Sequence, residues 1–165
     1  MAEGTTPPRT GAPLRLRAED HDDLAIIAAC LQDAVVRIEE MSYLPARHRF
    51  AVMCSRFRWE REHRGARHSH ERIRCGIHFE GILAARVRDI AQGQGGSALE
   101  LLTIRAEPMA DDGRYGNLYI ELVFAGGATV RLEAEFIECH LSDLGDAWET
   151  RSWPSHAIDE NDENA

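Results

Sequence analysis

Nine arginines crowd one stretch of the chain, Arg47, Arg49, Arg56, Arg58, Arg61, Arg64, Arg67, Arg72 and Arg74, against three acids, Glu60, Glu62 and Glu71. That stretch sums to +6, and because the whole chain carries −9, everything else sums to −15. Arginine forks grip phosphates and carboxylates in a bidentate way, so the chemistry this cluster suits is anion binding. If the strands on either side of the polar segment 60–71 pair with Trp59 opposite Ile73, alternation places Arg56, Arg58, Arg72, Arg74 and His78 on one face. Phe57, Trp59, Ile73, Cys75, Ile77 and Phe79 then share the other. Like charges opposite each other need something negative between them. Either the chain supplies carboxylates, from Glu133 and Glu135 or from Glu39, Glu40 and Glu121, or a ligand does.

Other chemistries find less support. All 19 basic residues are arginine, which excludes a lysine Schiff base, a phosphate-loop lysine and a lysine general base. His63, His68 and His70 match no zinc spacing, and Cys75 and His78 point to opposite faces of a strand, so no metal site is assigned. Cys139 and His140 are adjacent rather than facing, which makes a poor nucleophile–base pair. No nucleophile elbow, phosphate-binding loop, dinucleotide fingerprint or zinc-protease motif occurs, so neither a catalytic residue nor a cofactor is assigned. Arg56-Phe57-Arg58-Trp59 has the basic and aromatic interleaving of a nucleic-acid surface. Alternation separates its aromatics from its arginines, however, and the acidic total opposes attraction to phosphate backbones.

The elements that must position these residues are mostly strands. With 165 residues, 44% of them hydrophobic and 28% charged, the composition is that of one globular domain. Residues 1–13 and the acidic segment 155–165 lack periodicity and read as flexible tails, leaving 14–154 to fold. No apolar run long enough to span a bilayer and no secretory leader is present, so a cytoplasmic protein is expected, with its four scattered cysteines reduced and buried. Leu14 to Arg17 alternates like a strand, and Asp20 to Asp23 is rich in capping side chains. Leu24, Ile27, Ala28 and Leu31 then recur at helical spacing. Beyond Ala34 the period is two, with strands broken by Leu44 to Arg47, by 60–71, by 92–97, by Asp111 to Asn117 and by Gly126-Gly127. Gly81 and the phase slip after Phe136 read as bends, and Ser142 to Trp148 reads as a helical turn. The expected fold is α+β: a predominantly antiparallel curved sheet, barrel or half-barrel, of six to eight strands with one N-terminal amphipathic helix.

Seven strings carry a family resemblance: LRLRAED from Leu14, CLQDAV from Cys30, YLP from Tyr43, RFRWE from Arg56, LELL from Leu99, FAGG from Phe124 and LSDLG from Leu141. Together they resemble domain-of-unknown-function family 2948, a mostly alphaproteobacterial family, over residues 14–156. The resemblance implies a bacterial source and brings no activity, cofactor or catalytic residue. The functional expectation therefore rests on the arginines: a non-enzymatic binding or scaffold module presenting them to an anionic small molecule or an acidic protein segment. An enzyme acting on a small anionic metabolite and an RNA-binding accessory protein are the alternatives. No membrane partner is expected, and exposed strand edges leave a dimer open.

Overall fold

The computed structural model describes residues 12–62, 70–90, 98–109 and 116–150. Their elements run β1 (Arg15–Ala18), α1 (His21–Cys30), β2 (Val35–Leu44), a 3-10 turn (Pro45–Arg47), β3 (Arg49–Phe57), α2 (Trp59–Glu62), β4 (His70–Glu80), β5 (Ile82–Arg88), β6 (Ala98–Pro108), β7 (Leu118–Phe124), β8 (Thr129–Ala134) and β9 (Cys139–Thr150). Nine strands form one antiparallel sheet in the order β1-β9-β4-β3-β2-β6-β7-β8-β5.

This corrects the expected fold class. The sheet is open, with β1 and β5 as its two end strands, and it has nine strands rather than six to eight. The extra length comes partly from Ser142 to Trp148, which continues β9 to Thr150 instead of forming a helical turn. Its inward positions are Cys139, Leu141 and Asp143, and an acid on the core side hides the strand's apolar alternation. The helix is not the amphipathic element expected either. It follows β1, and within it only Leu24, Ile27 and Ala28 are buried while Ile26 stands 56% exposed. Its start is set by Asp20, whose carboxylate accepts the Asp23 amide at 2.8 Å, an N-cap that satisfies one otherwise orphaned donor.

The core lies between α1 and the inner side of the sheet. Phe50, Val52, Ile77 and Phe79 belong to one buried cluster with Leu101, Leu122, Phe124 and Leu132, and α1 packs on β1 and β6. All four cysteines are free thiols; Cys54, Cys75 and Cys139 are buried as small apolar residues. Burial raises the Cys139 thiol to about 12, which keeps it protonated and unreactive at neutral pH.

Two turns place the outer strands. Gly126 and Gly127, with φ of 86° and 92°, close the β7–β8 hairpin in a conformation that residues with a Cβ resist. Gly81, at φ 71°, turns β4 into β5. The neighbouring crossing from β8 to β9 follows the same bend, since the Glu135 amide donates to the Gly81 carbonyl and the Glu80 amide to the Glu138 carbonyl, both at 3.0 Å.

The β3–β4 pairing also departs from expectation. Cys54 lies opposite Cys75 and Arg56 opposite Ile73, three residues out of step with a Trp59–Ile73 pairing. An odd shift exchanges the faces of one strand relative to the other. β3 ends at Phe57, and Trp59 turns away into α2 instead of extending the strand.

Of the segments read as tails, residues 1–11 of 1–13 and all of 155–165 lie outside the described residues, as do the loop 92–97, Asp111–Gly113, His63 and His68. No helix among the described residues is long and apolar enough to cross a membrane.

Candidate functional site

The register shift decides where the β3 and β4 arginines point. Arg56 faces the core and is fully buried. Its Nε and Nη2 donate to the two Asp143 oxygens at 2.7 Å each, Nη1 and Nη2 donate to Glu60 at 3.0 and 2.8 Å, and Nη1 also reaches the Phe57 carbonyl at 3.2 Å. Every N–H of the guanidinium is engaged, so Arg56 has no donor left for a ligand. Asp143 also accepts the Leu14 amide at 2.8 Å, which ties the entry into β1 to β9. Burial on its own would lower the Arg56 pKa, but its hydrogen bonds to Asp143 and Glu60 outweigh it and hold the guanidinium charged.

The other β3–β4 candidates also meet partners from this chain. Arg58, almost fully buried, donates from Nη1 to Glu71 at 2.8 Å. Arg72 donates to the Ser55 carbonyl at 3.2 Å, with its guanidinium 5.8 Å from the Phe57 ring centre. Arg74 pairs with Glu40 at 2.7 Å. His78 places Nδ1 2.9 Å from Glu80, which also accepts from Arg49, and its ring stacks on His140 at 4.6 Å. These five residues do not share a face. Their partners are Asp143, Glu60, Glu71, Glu40 and Glu80, not Glu133 and Glu135. No group of three His, Cys, Asp or Glu among the described residues is arranged to hold a metal.

Glu60 responds to pH in a direction that can be stated. Burial pushes its carboxyl up, but the Arg56 hydrogen bonds prevail and hold it below its ordinary value. A carboxyl that is more acidic when folded adds stability above its unfolded pKa of about 4.3 and loses it as pH falls through the folded value. Urea midpoints are therefore expected to be level from neutral pH to about 5 and to fall below about 4, more steeply in wild type than in Glu60→Gln. Equal slopes in the two proteins would remove Glu60 from the linkage.

A second arrangement of arginines lies on the outer side of β5, β6, β7 and β8. Arg105 pairs with Glu121, Glu121 with Arg131, and Arg131 with Arg86, so one row across four strands reads arginine, glutamate, arginine, arginine. Arg88 stands two residues along from Arg86, opposite Thr129. Glu121 is buried between its neighbours: Arg105 puts Nε and Nη2 on Oε2 at 3.0 and 2.7 Å, and Arg131 puts the same two nitrogens on Oε1 at 2.9 and 2.6 Å. Hydrogen bonds from Arg105 and then Arg131 hold its carboxyl below the ordinary value. The Arg131 guanidinium lies 4.5 Å over the Tyr119 ring, which fixes its plane.

These side chains line an open cleft of about 470 Å³, and Glu133 and Asp89 line it as well. Arg86 and Arg88 are exposed, and among the described residues neither has a carboxylate partner. Sequence reasoning missed this site because Arg86 meets Arg131 only through the β5–β8 pairing, which joins segments more than 40 residues apart. The β7–β8 hairpin itself was legible from Gly126-Gly127, but its register was not, since the connection is one residue longer than a two-residue turn and so sets Glu121 opposite Arg131.

Comparison with known proteins bears on family and not on activity. No curated protein and no solved structure matches the chain. The family model described as "Protein of unknown function (DUF2948)" matches residues 14–156, nearly all of the folded part, and the chain belongs to that family.

Proposed function

We propose that this chain is a binding module that takes an anionic ligand in the arginine cleft of β5–β8. The row Arg105, Glu121, Arg131, Arg86 supports this reading, because it sets three arginines against one carboxylate on directly paired positions. Two cations side by side without a counter-ion are unfavourable in a sheet, and an anion between Arg86, Arg88 and Arg131 relieves that repulsion. The β3–β4 arginines serve this role less well, since Arg56 uses every donor inside the chain and Arg58 and Arg74 are already paired with Glu71 and Glu40.

Citrate and inorganic phosphate at low ionic strength are the probes. Either is expected to raise the melting temperature of wild type in proportion to RT ln(1 + [L]/Kd). The double variant Arg86→Gln/Arg88→Gln is expected to lose most of that rise, while Arg37→Gln, on exposed β2 surface, retains it. Glu121→Gln releases Arg105 and Arg131 from their carboxylate and is expected to bind both anions more tightly than wild type. A wild-type protein indifferent to both anions, or a double variant that responds like wild type, would sink the proposal.

A further inference from the structure

The cleft opens onto a strand edge. β5 is the last strand of the sheet, and its far side carries backbone N–H and C=O groups with no strand beyond them among the described residues. Only its first residue is tied on that side, by the Ile82 amide donating to the His48 carbonyl at 2.8 Å. From residue 83 to 88 the edge offers room for a short added strand. Its side chains set what that strand must carry. Arg86 and Arg88 face the cleft, while Val87 between them lies on the core side, opposite Val130 and 50% exposed.

A second copy of β5 is a poor occupant. Antiparallel self-pairing would bring two more arginines against Arg86 and Arg88, and like charges directly opposite are destabilising. Resting on the anion-binding reading above, we infer that β5 accepts an extended segment of a partner protein as a tenth strand, with acidic residues at alternate positions and an apolar residue between them. The acids pair with Arg86 and Arg88 on the cleft face, and the apolar side chain covers Val87 on the other. Main-chain hydrogen bonds to the edge hold the segment, and the alternating pattern gives its selectivity.

The probe is a fluorescent eight-residue peptide alternating glutamate and valine, read by anisotropy with the full chain at low ionic strength. Saturable binding is expected, weakened at least tenfold in Arg86→Gln/Arg88→Gln with an unchanged circular dichroism spectrum. N-methylating every second peptide amide, with charge unchanged, produces two frames, and the frame that blocks the edge-facing amides is expected to abolish binding. If both frames bind like the parent peptide, charge alone accounts for the contact and strand addition is overturned. Dimerisation in sedimentation experiments that Arg86→Gln/Arg88→Gln strengthens overturns the choice of occupant. If citrate binds and the peptide does not, this inference falls while the anion-binding reading stands; if neither binds, both fall.

Discussion

Asp143→Ala is expected to destabilise the protein by about 3–5 kcal/mol, the usual cost of removing one partner from a buried ion pair. Both side chains of the Arg56–Asp143 pair are 0% exposed. The variant leaves a buried guanidinium with two of its donor contacts missing and Glu60, 35% exposed, as its remaining carboxylate partner beside the Phe57 carbonyl. It also strands the Leu14 amide. With a urea m-value of about 2 kcal/mol per M, the unfolding midpoint should fall by roughly 1.5–2.5 M. Asp143→Asn keeps acceptor and shape, so it should cost less, about 1–3 kcal/mol. Arg56→Met combined with Asp143→Leu should recover most of the loss, because replacing a whole buried pair by apolar residues is often neutral. A drop under about 1 kcal/mol for Asp143→Ala would mean that water reaches the pair.

Gly81→Ala is expected to cost about 2–4 kcal/mol, from two sources. Its φ of 71° lies in the left-handed region, where a Cβ costs about 1–2 kcal/mol. A Cβ built there would also lie 2.6 Å from Phe136 Cζ and 2.9 Å from Cε2, so the ring must move. Phe136 is 44% exposed, and Phe136→Ala alone should cost less than about 1.5 kcal/mol. In that background Gly81→Ala should cost only the backbone share, and the difference between the two measurements gives the coupling. The bend matters for binding as well as stability, because it carries β4 into β5 and so sets Arg86 and Arg88 beside Arg131. Gly81→Ala should therefore also weaken citrate binding. An additive double variant would show that ring and glycine do not press on each other.

What could be read from the chain divides along sequence separation. The β7–β8 hairpin was legible because Gly126-Gly127 admits few connections and the alternation on both sides names the inward faces. The start of α1 within Asp20–Asp23 was legible for the same local reason, and the structure gives the cap to Asp20. The β3–β4 register was not, since a polar segment of about ten residues allows several alignments. A shift of three exchanges the faces. Arg56 then looked like a surface residue on an arginine face, although its partner Asp143 lies 87 positions away on a strand hidden by that same aspartate. The pair disguised each other, because each charged residue breaks the apolar pattern that would have marked its strand.

The chain alone determined that strands dominate, which family it belongs to, and that positive charge is all arginine and concentrated in 47–74 against an acidic remainder. Only the tertiary structure decided which arginines are already matched. Charge is a property of each residue, but neutralisation belongs to pairs, and the pairs that matter here join distant strands. Among the described residues of the rich cluster, Arg49, Arg56, Arg58 and Arg74 are matched by this chain's own acids, whereas the row on β5–β8 sets three arginines against Glu121.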